Sequence, residues 1–193
     1  MTAEELIAFE NEVKVAFEAG KIRGPVHLSG NNEAELIDIF KSVDPTDWVL
    51  CSYRSHYHAL LHGIPRELVM AEIMAGRSMN LSFPRFRFFS SAIVGGHLSM
   101  AVGVAAALKR QEIDRSVWCF CGDMAARGGA FHEAMQYAVG HDLRIKFYVE
   151  DNGLSCDTPT GEVWGYGGRQ NIVHYSYERK YPHVGSGTYI NFV

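Results

Sequence analysis

Val117-Trp118-Cys119-Phe120-Cys121-Gly122-Asp123 and Arg144-Ile145-Lys146-Phe147-Tyr148-Val149-Glu150-Asp151-Asn152 flank a helical run from Ala130 to Val139, and the three pieces form one connected unit. The first piece is a short apolar run that breaks at Gly122-Asp123, as a central parallel strand does at its carboxyl end. In the middle piece Phe131, Ala134, Met135 and Ala138 fall on one helical face. The last piece reads as the next strand, with Glu150-Asp151-Asn152 at its end. Strand, crossover helix and parallel strand predict an α/β fold, with carboxylates and an amide leaving both strands at one edge. Open parallel sheets bind their ligands at that edge. A carboxylate with an amide oxygen suits Mg2+, which takes few protein ligands and completes its shell with phosphate oxygens and water. Cys119 and Cys121 should face one side of the strand and Phe120 the other. Cys-x-Cys is not a zinc spacing, so these thiols are expected to pack rather than bind metal. Cys51 and Cys156 carry no pattern.

Working outward, Ser52-Tyr53-Arg54-Ser55-His56-Tyr57-His58 sets an arginine beside histidines, and a planar guanidinium can grip phosphate oxygens in bidentate fashion. Gly76-Arg77-Ser78-Met79 and Ile93-Val94-Gly95-Gly96-His97 follow before the central unit. Met124 to Asp151 leaves a gap of 26 residues, positions 125 to 150. Taken together these segments resemble the thiamine-diphosphate-dependent 2-oxo acid dehydrogenase alpha subunits, whose diphosphate-binding domain is shared with transketolase-like enzymes. Gly122-Asp123-Met124 is similar to the family's Gly-Asp-Gly, and Asp151-Asn152 to its Asn-Asn pair. Gly122 to Ala134, the Tyr-Arg-x-His segment, Gly-Gly-Ser-Met, Ile-Val-Gly-Ala-Gln and a weaker Gly-Gln-Glu-Ala echo at Gly30 to Ala34 occur in the family's order.

The resemblance implies a three-layer sandwich with a mainly parallel central sheet, the thiamine-diphosphate-binding fold. It implies that Asp123 and Asn152 bind Mg2+ through their side chains and Leu154 through its carbonyl. It also implies that thiamine diphosphate meets Tyr53, Arg54, Ser78, Ile93, Gly122, Asp123, Met124, Ala125, Asn152 and Leu154. His56, His58 and His97 become candidates for proton transfer or substrate orientation. Two positions depart from the pattern, Met124 for glycine and Asp151 for asparagine. The Met124 side chain is expected to turn away from the phosphates into the apolar layer beneath the strand end.

Such enzymes divide the cofactor between two domains, one anchoring the diphosphate and one holding the pyrimidine. The resemblance therefore implies a beta-subunit-like partner chain with the pyrimidine-binding domain, in a homodimer or an assembly of two alpha-like and two beta-like chains. Substrates would be a small 2-oxo acid or a ketose. Half of a split transketolase-like carboligase, a non-catalytic module that kept the fold, and an unrelated magnesium-dependent phosphotransfer domain remain as alternatives. A C-terminal extension usual in the alpha subunits, with further strands and a histidine-bearing loop, has no room in 193 residues, which leaves the substrate open.

Composition fits an enzyme domain. The chain is 47% hydrophobic with a net charge of −4, which gives no reason to invoke nucleic acid or an anionic membrane. No apolar run approaches the roughly 20 residues of a membrane span. Met1-Thr2-Ala3-Glu4-Glu5 is acidic, unlike a secretory leader, so a cytoplasmic location is expected. Residues 1–193 read as a single diphosphate-binding domain, with a helical segment over 1–26 and a tail over 166–193. Helices are expected over Glu4 to Glu18, Glu33 to Val43 (capped by Asn31 or Asn32), Pro65 to Ala75 and Gly95 to Lys109. Trp48 to Cys51 should be a strand after the turn Asp44-Pro45-Thr46-Asp47. Residues 80–91 are expected to form a loop over the site. Gly95, Gly96 and Gly103 should permit close helix packing. Gly165-Tyr166-Gly167-Gly168 is expected to be flexible or tightly turned, and the tyrosine-rich tail to end in an edge strand over Thr188 to Val193 with a tyrosine-rich packing surface, a substrate loop being the alternative.

Overall fold

The computed structural model describes residues 1–166, 173–184, 190 and 192. Eight helices are set among the described strands. Before the first strand come α1 (Ala3–Glu18) and α2 (Glu33–Phe40); β1 (Trp48–Ser52), α3 (His56–Leu61) and α4 (Arg66–Met74) follow. The chain continues through β2 (Ser82–Phe83), β3 (Phe88–Ser91), α5 (Gly96–Arg110), β4 (Val117–Gly122), α6 (Asp123–Arg127), α7 (Gly129–Gly140) and β5 (Ile145–Asp151). It then forms β6 (Leu154–Ser155), β7 (Thr158–Pro159), α8 (Thr160–Trp164) and β8 (His174–Ser176). Six strands make one sheet in the order β2-β3-β1-β4-β5-β8, parallel except for β2.

β4 is central and buried along nearly its whole length, as an apolar run without alternation requires when both faces of a strand are covered. Trp118 and Phe120 point to one face with Val49 and Cys51, where α1 to α4 pack through Leu6, Phe9, Leu36, Ala59 and Val69. Cys119 and Cys121 point to the other with Leu50, against Leu98 and Ala101 of α5 and Phe131 and Ala134 of α7. The result is three layers, helices on both sides of a mainly parallel sheet, as expected. Phe120 lies between Phe40 and Tyr148, with ring centroids at 5.6 and 5.3 Å. All the described cysteines are free thiols, and Cys119 and Cys121 are fully buried.

Local signals explain the first helix well. Thr2 and Glu5 close a reciprocal capping box, and Gly20 ends the helix at φ 68°. α2 has Asn32 at its N-cap, but no side-chain hydrogen bond caps it. The Asp44 to Asp47 turn does more than reverse the chain. The buried Asp47 carboxylate accepts from Ser116 N and Trp118 Nε1, both at 2.8 Å, and ties the starts of β1 and β4 together.

Residues 80–91 are not a loop. They hold β2, a helical turn with Arg87 in the left-handed region (φ 55°), and β3, which is an inner strand paired with β1. Phe88-Phe89-Ser90-Ser91 shows no periodicity because both faces are covered, and four residues give a weak signal. Gly103 has open space where a Cβ would be, so close packing does not account for it. Part of Gly165 to Gly168 and most of the strand expected over 188–193 lie outside the described residues.

Register places the strand ends together. Ser52 lies opposite Ser91, Cys51 opposite Phe120, and Gly122 opposite Glu150. Tyr53-Arg54, Ala92-Ile93, Asp123 and Asp151-Asn152 therefore emerge at one edge of the sheet, the edge at which parallel sheets hold ligands. Among the described residues no helix is long and apolar enough to cross a membrane.

Candidate cofactor site

A cavity of about 60 Å3 opens at this edge. Its lining includes Tyr53 and Arg54 from the end of β1, Gly95 and His97 from the start of α5, and Gly122, Asp123, Met124 and Ala125 from the β4–α6 junction. Glu150, Asn152 and Leu154 complete the β5 side. Eight of the ten expected cofactor contacts thus share one cavity: Tyr53, Arg54, Gly122, Asp123, Met124, Ala125, Asn152 and Leu154. Ser78 and Ile93 do not line it. Ser78 is fully buried with its hydroxyl on His56, and Ile93 is 71% exposed beside the rim residue Val94.

Asp123 is buried, and its carboxylate accepts from the Thr160 hydroxyl at 2.5 Å. Burial raises its pKa above the usual carboxylate range, and the Asp151 charge adds to that, against the Thr160 hydrogen bond. Asn152 forms a local turn, its Oδ1 accepting from Leu154 N at 3.0 Å, while its Nδ2 donates to the Tyr177 hydroxyl at 3.2 Å. Asp123, the Asn152 amide oxygen and the Leu154 carbonyl would offer a hard, oxygen-only donor set carrying one charge. Such a set fits magnesium that draws its remaining ligands from phosphate and water. A cation would also relieve the desolvation of Asp123. No group of three or more His, Cys, Asp or Glu suited to a metal occurs among the described residues.

The histidines separate into different settings. His97 is fully buried, with Nε2 2.8 Å from the Phe120 carbonyl, so that nitrogen carries the proton. Burial pulls its pKa down to about 4, which keeps the ring neutral beside the cavity. His58 and His56 do not line the cavity. His58 Nε2 lies 3.2 Å from Glu150 Oε1. Burial alone would raise the Glu150 carboxyl, but His58, the Tyr175 hydroxyl at 2.5 Å and Arg54 outweigh it and hold the carboxyl below its ordinary range. His56 sits between Glu10 and Ser78, Nδ1 3.0 Å from the Glu10 carboxylate and Nε2 2.8 Å from Ser78 Oγ. All three are fully buried, so this chain of hydrogen bonds ties α1 to α3 and has no access to solvent.

Met124 departs from its expected place. The side chain is half-buried on the cavity wall, and its sulfur accepts from Trp164 Nε1 at 3.1 Å instead of entering the apolar layer. Position 124 lies inside α6 and is absent from the positive-φ residues, so no glycine conformation is required there. Gly95, in contrast, has φ 74° at the N-cap of α5 and borders the cavity, so its role is not confined to helix packing. Asp123 also borders a second cavity, about 340 Å3, lined by Arg127, His132, Thr160 and Trp164 among others.

Sequence reasoning set Glu150 at the strand end without giving it a role, and missed Glu10, His27 and the roles of the tail residues Tyr175, Tyr177 and Arg179. Tyr177 and Arg179 line the cavity. Parallel pairing of β8 with β5 carries the residues that follow the strand to the site, a contact that no local sequence pattern announces. The edge strand that the structure describes in this region is β8, a different stretch from the one expected over 188–193, and the residues after it supply side chains to the site.

A sequence model of the family described as "Dehydrogenase E1 component" matches residues 1–163. The alpha subunit of acetoin:2,6-dichlorophenolindophenol oxidoreductase from Bacillus subtilis is 30% identical over 165 residues, covering 80% of this chain and 50% of that one. The pyruvate dehydrogenase E1 component subunit alpha of Porphyra purpurea is 32% identical over 161 residues, covering 75% and 47%. The chain spans about half the length of the curated relatives it matches. A candidate thiamin diphosphate-dependent enzyme from Mycobacterium smegmatis superposes with a TM-score of 0.47 at 20% identity, over 68% of this chain and 24% of that one. Nothing further rests on that likeness. With the match over residues 1–163 spanning the Tyr53-Arg54 segment, the Asp123 turn and Asn152, the chain belongs to the dehydrogenase E1 component family.

Proposed function

We propose that this chain anchors Mg2+ and thiamine diphosphate in a two-chain enzyme of the 2-oxo acid dehydrogenase or decarboxylase type. The observation that carries the reading is the convergence of Asp123, Asn152 and Arg54 on one cavity at the carboxyl edge of a parallel sheet. Asp123, Asn152 and the Leu154 carbonyl would hold the metal. Tyr53, Arg54 and the backbone of Gly122 to Ala125 would hold the diphosphate. When bound, the cofactor would supply an electron sink for the substrate's carbonyl carbon.

The chain's own groups orient and exclude. His97, buried and neutral at the cavity wall, can exchange a proton only through Nδ1, because Nε2 is engaged by the Phe120 carbonyl. His56 and His58 act from behind the wall, through Ser78 and Glu150, as positioning residues. The pyrimidine end would be held by a beta-subunit-like chain, with the cofactor at the interface of a homodimer or an α2β2 assembly. The names of the relatives, pyruvate dehydrogenase and acetoin oxidoreductase, favour a small 2-oxo acid or a related hydroxyketone as substrate.

The direct test is Asp123→Ala. Magnesium-dependent binding of thiamine diphosphate, followed by calorimetry, is expected to disappear while the far-UV circular dichroism stays that of the parent. Equal affinity in the two proteins would reject the metal assignment.

A further inference from the structure

The family match ends at residue 163, yet the chain beyond it reaches the cavity. Pairing of β8 with β5 sets Ser176 opposite Asp151, so Tyr177 falls beside Asn152 and accepts its amide hydrogen bond at 3.2 Å. Two residues on, the Arg179 guanidinium lines the same cavity as Arg54, with its side chain 11% exposed. Arg179 donates to the Cys156 carbonyl and to Asp157 Oδ1 at 2.9 Å. The Asp157 side chain is 71% exposed, and an ion pair to a hydrated carboxylate is weak and easily exchanged. Among the described residues Arg54 donates from Nη1 to the Leu28 carbonyl at 2.9 Å.

Close enough to feel both arginine charges, His27 stacks on His183 at 4.3 Å and meets Tyr53 in a tilted contact at 4.7 Å. The Nδ1 atoms of His27 and His183 are buried and have no hydrogen-bond partner among the described residues. Burial, His183 and both arginine charges hold His27 neutral, its pKa near 3. Arg54 and Arg179 bring two positive charges to one cavity, with the Glu150 carboxylate beside Arg54, and an entering anion would meet both guanidiniums.

We infer that Arg179, carried by the tail, is a phosphate-binding residue that grips the terminal phosphate of the diphosphate together with Arg54. Asp123 and Asn152 line the same cavity and would act on the diphosphate through the metal. A terminal phosphate presents enough oxygens for two bidentate guanidinium contacts, which a single arginine leaves unused. The inference rests on the cofactor reading above.

The test compares thiamine diphosphate with thiamine monophosphate, which lacks the terminal phosphate, by calorimetry on the whole chain with Mg2+. The parent should prefer the diphosphate. Arg179→Ala should weaken diphosphate binding by about 10- to 100-fold and leave the monophosphate nearly unchanged. Arg179→Lys, which keeps a point charge but loses the fork, should recover part of the loss. Asp157→Ala removes the competing carboxylate and should tighten the diphosphate severalfold. Equal weakening of both ligands would mean a merely structural tail, and an unchanged preference in Arg179→Ala together with no gain in Asp157→Ala would overturn the inference. A parent that fails to prefer the diphosphate would overturn the cofactor reading itself.

Discussion

His97 and Met124 carry the sharpest expectations at the scale of single residues. His97 is neutral in the folded chain because burial lowers its pKa from 6.5 to about 4. The unfolded chain takes up that proton first as pH falls, so its contribution to stability is complete above pH 6.5 and is lost between 6.5 and about 4. A depression of this size corresponds to about 3 kcal/mol in all, of which about 2 kcal/mol is gone by pH 5. Urea midpoints of His97→Gln should therefore fall less than those of the parent between pH 7 and pH 5; parallel curves would refute the assignment. Met124 poses a different question, because its sulfur is engaged by Trp164 and its backbone is helical. Met124→Gly should leave thiamine-diphosphate affinity within a few-fold of the parent. A large gain would mean that the thioether obstructs the phosphates, and would favour a binding module that kept the fold without the chemistry.

At the scale of elements, the tie between α1 and α3 matters most. Glu10 is fully buried and accepts from Ser29 N at 2.9 Å as well as meeting His56 Nδ1. Ser29 follows Leu28, whose carbonyl holds Arg54. One carboxylate on the first helix thus fixes both segments that aim the guanidinium at the cavity. Glu10→Ala strands two buried donors and should cost roughly 3 kcal/mol of stability. Glu10→Gln keeps the shape, and one amide oxygen can still accept, so a smaller loss is expected. Chemical denaturation of the two variants checks this, and equal midpoints for both and the parent would remove the network from the account. α1 shows why such a residue escapes notice: an amphipathic pattern marks Leu6, Phe9, Val13 and Phe17 as inward, and a glutamate between them reads as solvated.

For the whole molecule, the cavity stands at a rim of uncovered apolar side chains. Val94, which lines the cavity, is 57% exposed, and its neighbour Ile93 is 71% exposed. Large apolar groups gathered beside a site mark a surface that another chain covers. Light scattering should report a mass of at least twice 21.6 kDa, or a complex once a pyrimidine-binding chain is added. Val94→Glu should weaken that association while leaving the monomer folded. A stable monomer that captures no such chain would contradict the shared-site assembly.

The three-layer architecture was implied by the family resemblance, while the sequence by itself determined the β4–α7–β5 unit and the identity of the residues at the strand ends. These follow from local periodicity, from glycine and carboxylate at a strand terminus, and from short-range spacing, all of which act within a few dozen residues. The inner strand β3 and the helix α3 were not legible, because short elements covered on both faces leave no alternation to read. Which histidines face the cavity was equally hidden. His56 and His58 are adjacent to Arg54 in sequence, yet helical geometry turns them into the layer beneath, while His97 arrives from a separate element. The tail was decided last, by tertiary structure alone. Parallel pairing of β8 onto β5 brings Tyr177 and Arg179 beside Asn152 and Arg54, and no local pattern could announce a contact made across more than twenty residues of intervening chain.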